Sequence, residues 1–499
     1  MKIKLIVSIF LTALIFISCD DYTDLTPPVK DKVSGNANFA RYVALGNSLT
    51  AGYQSGTLYQ SAQVYSYANL IAKQVGTNFE MPLISDPGLG GRMEIQSLSP
   101  FAVYTNPSSG APINLNYPAP YNNLGVPGAL TYDILFAKSS TTCASYLFAN
   151  SPNPYFDIIL RNNVLNLGTP LEQALSQAPT FITLWIGNND ILGYAASGGT
   201  SPSAPTSTTN FQQLYGGIAQ GLSQYASQTG AKVVVANIPG SSAFPFATTV
   251  GPLLATNPAV KWWQIAYLQM IVNHLPATGL IYGSHNASGT NLGILPYKIG
   301  FADSTALLRG NVFITLVGQT YAGLIGQRTG KFYRDNHYPG LPAGIDTTQP
   351  FGLHPQNPFP DAYVLDPDEI VIVNNAISSF NTIISGLAQN YGFGLADINS
   401  LLNGIRARDF SGGTNINGII FKTTYVQGGL YGLDGLHFSN QGQAIVANEF
   451  IKVINSKFSA KIPLIDVSSI PGSLVLHKSV QYKDGYPIIP AEAFDHLLF

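Results

Sequence analysis

Two stretches of this chain, Phe181-Ile182-Thr183-Leu184-Trp185-Ile186 and Lys232-Val233-Val234-Val235-Ala236-Asn237-Ile238, are apolar at nearly every position and end in turn residues. A strand with one wet face alternates between apolar and polar residues. A continuous run needs burial on both faces, which requires a parallel sheet covered by helices above and below. Val43-Ala44-Leu45 is a third run of this kind and Gly394-Leu395-Ala396-Asp397-Ile398 a shorter fourth. The expectation is an α/β fold, a three-layer α/β/α sandwich on a central parallel sheet.

The covering helices are legible where the period is clean. Ile370, Val373, Ile377, Phe380, Ile384 and Leu387 recur every three or four residues, behind Asp366 as N-cap, Pro367 at N1 and Glu369 at N3, and ahead of Gly392. Those are the start and stop signals of one long helix. A second is predicted from about Gln441 to Phe458, with Ala444, Ala447, Ile451, Ile454 and Phe458 on one face and Ser439 or Asn440 as cap. Residues 82–127 have weak periodicity, and Gly198 to Asn210 reads as an exposed loop. Residues 240–365 carry Trp262, Trp263 and the histidines His274, His285, His337 and His354 without metal-type spacing, and are expected to form a large insertion beside the active face. The aromatic residues there are expected to pack a core more readily than to stack on sugar rings.

The first 19 residues have Lys2 and Lys4, then an apolar stretch from Leu5 to Ile17, then Ser18-Cys19. This is a secretory signal, too short for a comfortable membrane span. Phe16-Ile17-Ser18-Cys19 resembles the lipobox of bacterial lipoproteins, which implies acylation of Cys19 and an anchor in the outer membrane of the cell envelope. Asp20-Asp21-Tyr22-Thr23-Asp24 resembles the surface-export signal of Bacteroidetes lipoproteins. The only other cysteine, Cys143, then has no disulfide partner and is expected to be a buried or loop residue. Residues 20–38 read as a flexible tether, 39–465 as the folded domain and 466–499 as a C-terminal extension. With 24 basic and 26 acidic residues and no basic stripe, nothing favours nucleic acid.

Chemistry enters with Gly46-Asn47-Ser48-Leu49, directly after the first apolar run. Ser48 would stand at the carboxyl end of the sheet, where open α/β folds bind ligands. Far downstream, in Gly432-Leu433-Asp434-Gly435-Leu436-His437-Phe438-Ser439, a carboxylate three residues before a histidine could orient its ring as a base. Leu184-Trp185-Ile186-Gly187-Asn188-Asn189-Asp190 places amides at a strand end, and Asn122-Asn123-Leu124-Gly125-Val126-Pro127-Gly128-Ala129 reads as a glycine turn before a helix over Leu130–Phe136.

These four segments, in this order, resemble the SGNH hydrolases, the GDSL family of esterases and lipases, whose flavodoxin-like sheet matches the layered reading. The resemblance implies Ser48 as nucleophile, His437 as base, Asp434 as its orienting carboxylate, and an oxyanion hole of the Ser48 and Gly128 N–H groups with the Asn189 side chain. Gly128 is chosen over Gly125 because small residues and a helix follow it. Asn47 departs from the Asp of the family name without touching the triad. The resemblance also implies a serine hydrolase of lipid or acetylated-carbohydrate esters that uses no metal and no cofactor. The rival is a surface lipoprotein that binds glycan or lipid on the same scaffold without turnover.

Overall fold

The apolar runs assemble into one parallel sheet. The computed structural model describes residues 34–200, 205–257, 265–269, 282–285, 291–295, 298–476, 480–483 and 486–489. Its central strands are β1 (Tyr42–Gly46), β2 (Asn123–Gly125), β3 (Phe181–Trp185), β4 (Lys232–Ala236) and β5 (Gly394–Ala396), in the spatial order β2-β1-β3-β4-β5 and parallel throughout. Strand order reverses between β1 and β3, which opens a crevice at the carboxyl ends of those two strands. Gly46, Trp185 and Gly125 stand side by side across that edge.

The helices that frame the sheet and the crevice are α1 (Ser48–Ala51), α2 (Tyr67–Val75), α3 (Thr131–Phe136), α4 (Asn189–Ala196), α5 (Thr208–Thr229), α6 (Pro367–Asn390), α7 (Ile398–Arg406) and α8 (Asn440–Phe458). Successive strand residues point to opposite faces. Tyr42, Ala44, Trp185 and Val234 pack with α2, α7 and α8 into one core, and Val43, Leu45, Leu184 and Val235 pack with α4, α5 and α6 into another. Both faces are buried, so the strands have no solvent-facing side to alternate with.

Helix ends follow the predicted signals. Asp366 and Glu369 form a reciprocal capping box around Pro367. At α8 the Gly442 N–H donates to Ser439 Oγ at 2.9 Å, a cap of the kind that typically contributes about 1 kcal/mol.

Several expectations need correction. Asn123–Gly125, read as part of a turn, is the edge strand β2; it is only three residues long, too short to show a period. Residues 82–127 hold an antiparallel hairpin, Met93–Leu98 with Phe101–Thr105, hidden by interspersed polar residues on a half-exposed ribbon. The loop expected to run to Asn210 ends earlier, because Ser207 caps α5. Residues 34–38, read as the end of a tether, already belong to the fold: the Asn36 N–H donates to Phe458 O at 2.7 Å and Ala37 is buried. Cys143 is buried and free. Cys19, Trp262, Trp263 and His274 lie outside the described residues.

Candidate active site

Ser48 follows β1 at the mouth of the crevice, and the glycine before it is a steric necessity. A Cβ on Gly46 would sit 2.2 Å from Thr50 Oγ1 and 2.5 Å from Trp185 O. The chain then turns into α1 with Asn47 as N-cap: its Oδ1 accepts the Leu49 N–H at 3.0 Å, and its Nδ2 donates to Asn188 Oδ1 at 3.2 Å. Asn47 is wholly buried. An aspartate there would keep the cap but lose the donor to Asn188, and would bring a charge beside the serine. The departure from the family spelling thus has a structural use.

The loop after β5, α7 and a small ribbon brings His437 to Ser48. His437 Nε2 stands 2.9 Å from Ser48 Oγ, and Nδ1 stands 3.1 Å from Asp434 Oδ2. A carboxylate only accepts, so Nδ1 carries the proton of the neutral ring and Nε2 is left to accept from the Ser48 hydroxyl. Asp434 is itself fixed on both oxygens. Oδ1 accepts the N–H groups of Leu436 and His437, each at 2.9 Å, and Oδ2 accepts the Gly56 N–H at 2.9 Å. Burial pushes the Asp434 carboxyl up, but the His437 ring and the N–H groups of His437 and Leu436 outweigh it and hold the group below the ordinary carboxylate range.

A second loop clasps the first. Gln54 Nε2 donates to Phe438 O at 3.0 Å, the Leu433 N–H donates to Ser55 Oγ at 3.1 Å, and the Tyr53 ring lies 4.5 Å from the His437 ring between centroids. Sequence reasoning did not find Tyr53, Gln54, Ser55 or Gly56. They stand only a few residues after Ser48, but nothing in their spacing shows that they meet a loop almost 380 residues away.

Across the crevice, Asn189 opens α4 directly after β3. Its Nδ2 donates to Ala129 O at 2.9 Å, which spends one of two amide protons and leaves the other. That contact ties Asn189 to the turn bearing Gly128, whose φ of +79° favours glycine. Among the described residues, the backbone N–H groups of Ser48 and Gly128 have no acceptor. The Gly125 N–H, by contrast, is spent on Asn123 Oδ1 at 3.0 Å, so of the two glycines Gly128 alone has a donor to offer.

Asp190, whose part the sequence did not reveal, pins the same turn. Its Oδ2 accepts both the N–H and the hydroxyl of Thr131 at 2.9 Å, and its Oδ1 accepts the Thr206 hydroxyl at 2.9 Å. Burial pushes its carboxyl up to about 6 despite these donors.

The structure therefore brings Ser48, His437, Asp434 and Asn189 together and sets Gly128 on the adjoining turn. It does not place Gly128 in the wall of the cleft that opens beside Ser48. That cleft holds about 740 Å³ of space, its open mouth included, and Ser48, Asn188, Asn189 and His437 form a polar cluster in a lining that is otherwise mostly apolar. A hydroxyl bonded to an oriented imidazole, facing amide donors, is an arrangement suited to nucleophilic acyl transfer. Among the described residues no three His, Cys, Asp or Glu side chains gather as a metal site.

The model of the family described as GDSL-like Lipase/Acylhydrolase matches residues 42–301, just over half of the chain, and the chain belongs to that family, the SGNH hydrolases. It is accordingly a hydrolase of the esterase and lipase type. The matched stretch contains Ser48, Gly128 and Asn189 but ends before Asp434 and His437, so that pair rests on its geometry. No curated protein and no solved structure matches the chain.

Proposed function

We propose that this protein hydrolyses carboxylic esters through an acyl-serine intermediate. The reading is carried by the continuous hydrogen-bonded series from Ser48 Oγ to His437 Nε2, at 2.9 Å, and from His437 Nδ1 to Asp434 Oδ2, at 3.1 Å. His437 takes the Ser48 proton as Oγ bonds to the ester carbonyl carbon. The resulting oxyanion is stabilised by the Ser48 and Gly128 N–H groups and the second amide proton of Asn189. The imidazolium, held by Asp434, returns its proton to the leaving alkoxide as the ester C–O bond breaks. Water then attacks the acyl-serine, with His437 again accepting the proton; as the acyl C–Oγ bond breaks, the imidazolium returns that proton to Ser48 Oγ and the acid leaves. Asp190 serves as a positioning residue for the turn that carries Gly128.

Labelling by a fluorophosphonate tests this directly. Mass increase on the peptide containing Ser48, lost in Ser48→Ala, is the expected result; an unlabelled but folded protein would favour a binding role instead.

We further propose that Cys19 is lipidated and anchors the enzyme to the outer membrane. The charged start, the short apolar stretch and the Ser18-Cys19 end support this. Metabolic incorporation of a radiolabelled fatty acid, abolished by Cys19→Ala, is the expected outcome. A wild-type protein that takes up no label overturns it.

A further inference from the structure

The cleft beside Ser48 is a slot with a direction. Its α4 wall comprises Asn189 next to the serine, then Ile191 and Leu192, then Ala195 and Ala196. Positions spaced three and four apart lie on one face of a helix, so the slot follows α4 from its first residue to its last. Val373 and Ile377, one turn apart on α6, add to the lining, and so do Phe244, Phe246 and Ala247 from the chain after β4. The polar groups are at the serine end. Away from it Ser241 is the one polar side chain in the lining among the described residues, and its hydroxyl is already engaged at 2.9 Å by Asn374 Oδ1.

An acetyl group would leave most of this slot unfilled, and a sugar ring turned into it would leave its hydroxyls without partners, at a cost of about 1–3 kcal/mol for each buried group. An aliphatic chain has nothing to leave unpaired. We infer that the slot binds the acyl portion of the substrate as an extended, unbranched aliphatic chain of medium length, which rests on the acyl-serine reading above and decides between lipid-type and acetylated-carbohydrate esters in favour of the first. The length follows from α4. Seven residue steps of about 1.5 Å carry the wall about 10 Å from Asn189 to Ala196. A zigzag of ~1.5 Å bonds advances about 1.3 Å per carbon, so the slot accommodates about eight carbons. The small side chains of Ala195 and Ala196 at its far end keep that length open.

The test is kinetics on p-nitrophenyl esters from acetyl to hexadecanoyl, for the wild type and for Ala195→Phe and Ala196→Phe. Burial of one methylene is worth about 0.8 kcal/mol, or about fourfold in kcat/KM. Wild-type kcat/KM is expected to climb with chain length to about eight carbons and then level or fall, with octanoyl at least about a hundredfold above acetyl. Filling the end of the slot should collapse the octanoyl-to-acetyl ratio more than tenfold.

A wild type that prefers acetyl, or a ratio unmoved in both filled variants, overturns the inference. Should the filled variants fold poorly, Ile377→Ala offers the opposite change: a wider slot that should relax the cut-off above eight carbons, and an unchanged cut-off also counts against the inference. Fluorophosphonate labelling of Ser48 in the same samples separates the two levels. Labelled enzyme with acetyl preference removes only the slot, whereas absence of both labelling and turnover removes the hydrolase reading beneath it.

Discussion

The two ends of the cleft are built on different principles. At the serine end the functional side chains are held by hydrogen bonds: Asn47 to Asn188, His437 to Asp434, Asp434 to Gly56, and Asn189 to Ala129. In the slot, shape alone confines Ile191, Val373 and Ile377, and they pack in one apolar cluster. Hydrogen bonds demand particular residue types in particular orientations, whereas an apolar wall is satisfied by many residues of about the right size. The reaction should therefore be intolerant of conservative change, and acyl preference should drift with single apolar substitutions.

The sharpest way to break this contrast is at Ser48. Ser48→Ala removes one oxygen and leaves the hydrogen-bonded frame standing; kcat is expected to fall by about 10⁶ with no loss of thermal stability. A residual rate within tenfold of wild type would place the nucleophile elsewhere. Asp434→Asn comes next. Both oxygens of Asp434 face N–H donors, so an amide nitrogen in either position opposes a donor with a donor. The ring of His437 then loses the partner that fixes its tautomer, and kcat should drop by about 10⁴. A mild loss that is rescued at higher pH would mean that Asp434 supplies charge but not orientation.

Asn189→Ala removes a donor that acts on the oxyanion more than on the ground-state ester. The expected loss is about 10²–10³ in kcat with KM little changed. A rise in KM at constant kcat would instead make Asn189 a substrate-binding residue. Asp190→Asn sharpens the point, because its two contacts to Thr131 hold the neighbouring turn; a kcat defect without a KM defect is expected there too, and smaller than that of Asn189→Ala.

The same contrast explains what the sequence could disclose. Ser48, Asn189, Asp434 and His437 stood out in the sequence as candidates because chemistry restricts each role to few residue types, placed at strand ends or in short loops. The strands β1, β3, β4 and β5 were legible because burial on both faces leaves a continuous apolar run. The slot was not. Ile191 and Ala195 on α4, or Val373 and Ile377 on α6, have the same apolar spacing whether the helix faces the sheet alone or a cavity as well. Phe244 and Phe246 lay in a segment without period, and their place against the cleft depends on contacts such as the Phe246 N–H to Gly435 O, at 3.0 Å, across almost 190 residues. Asp190 was visible as a letter of its motif, but its part depends on Thr131 and Thr206, which no local pattern joins to it.

A last expected effect is on stability and leaves the rate alone. Glu369 is buried in the first turn of α6, with its Oε2 accepting the Asp366 N–H at 2.8 Å and Asp361, Asp366 and Asp368 nearby. Burial first, and then these carboxylates, push its carboxyl up to about 9 from an ordinary 4.5. A group whose folded value is raised contributes its stability in full below the unfolded value, and loses it as pH rises through the folded one. Between about 4.5 and 9, then, Glu369 should make the native state progressively less stable as pH rises. Glu369→Gln keeps an acceptor for the Asp366 N–H and cannot ionise. Its Tm should match or fall just below wild type at pH 5 and exceed it increasingly towards pH 9, as read by scanning calorimetry across that range. Parallel Tm profiles would mean that Glu369 is ionised in the native state and that the start of α6, four residues before Val373, tolerates a buried charge.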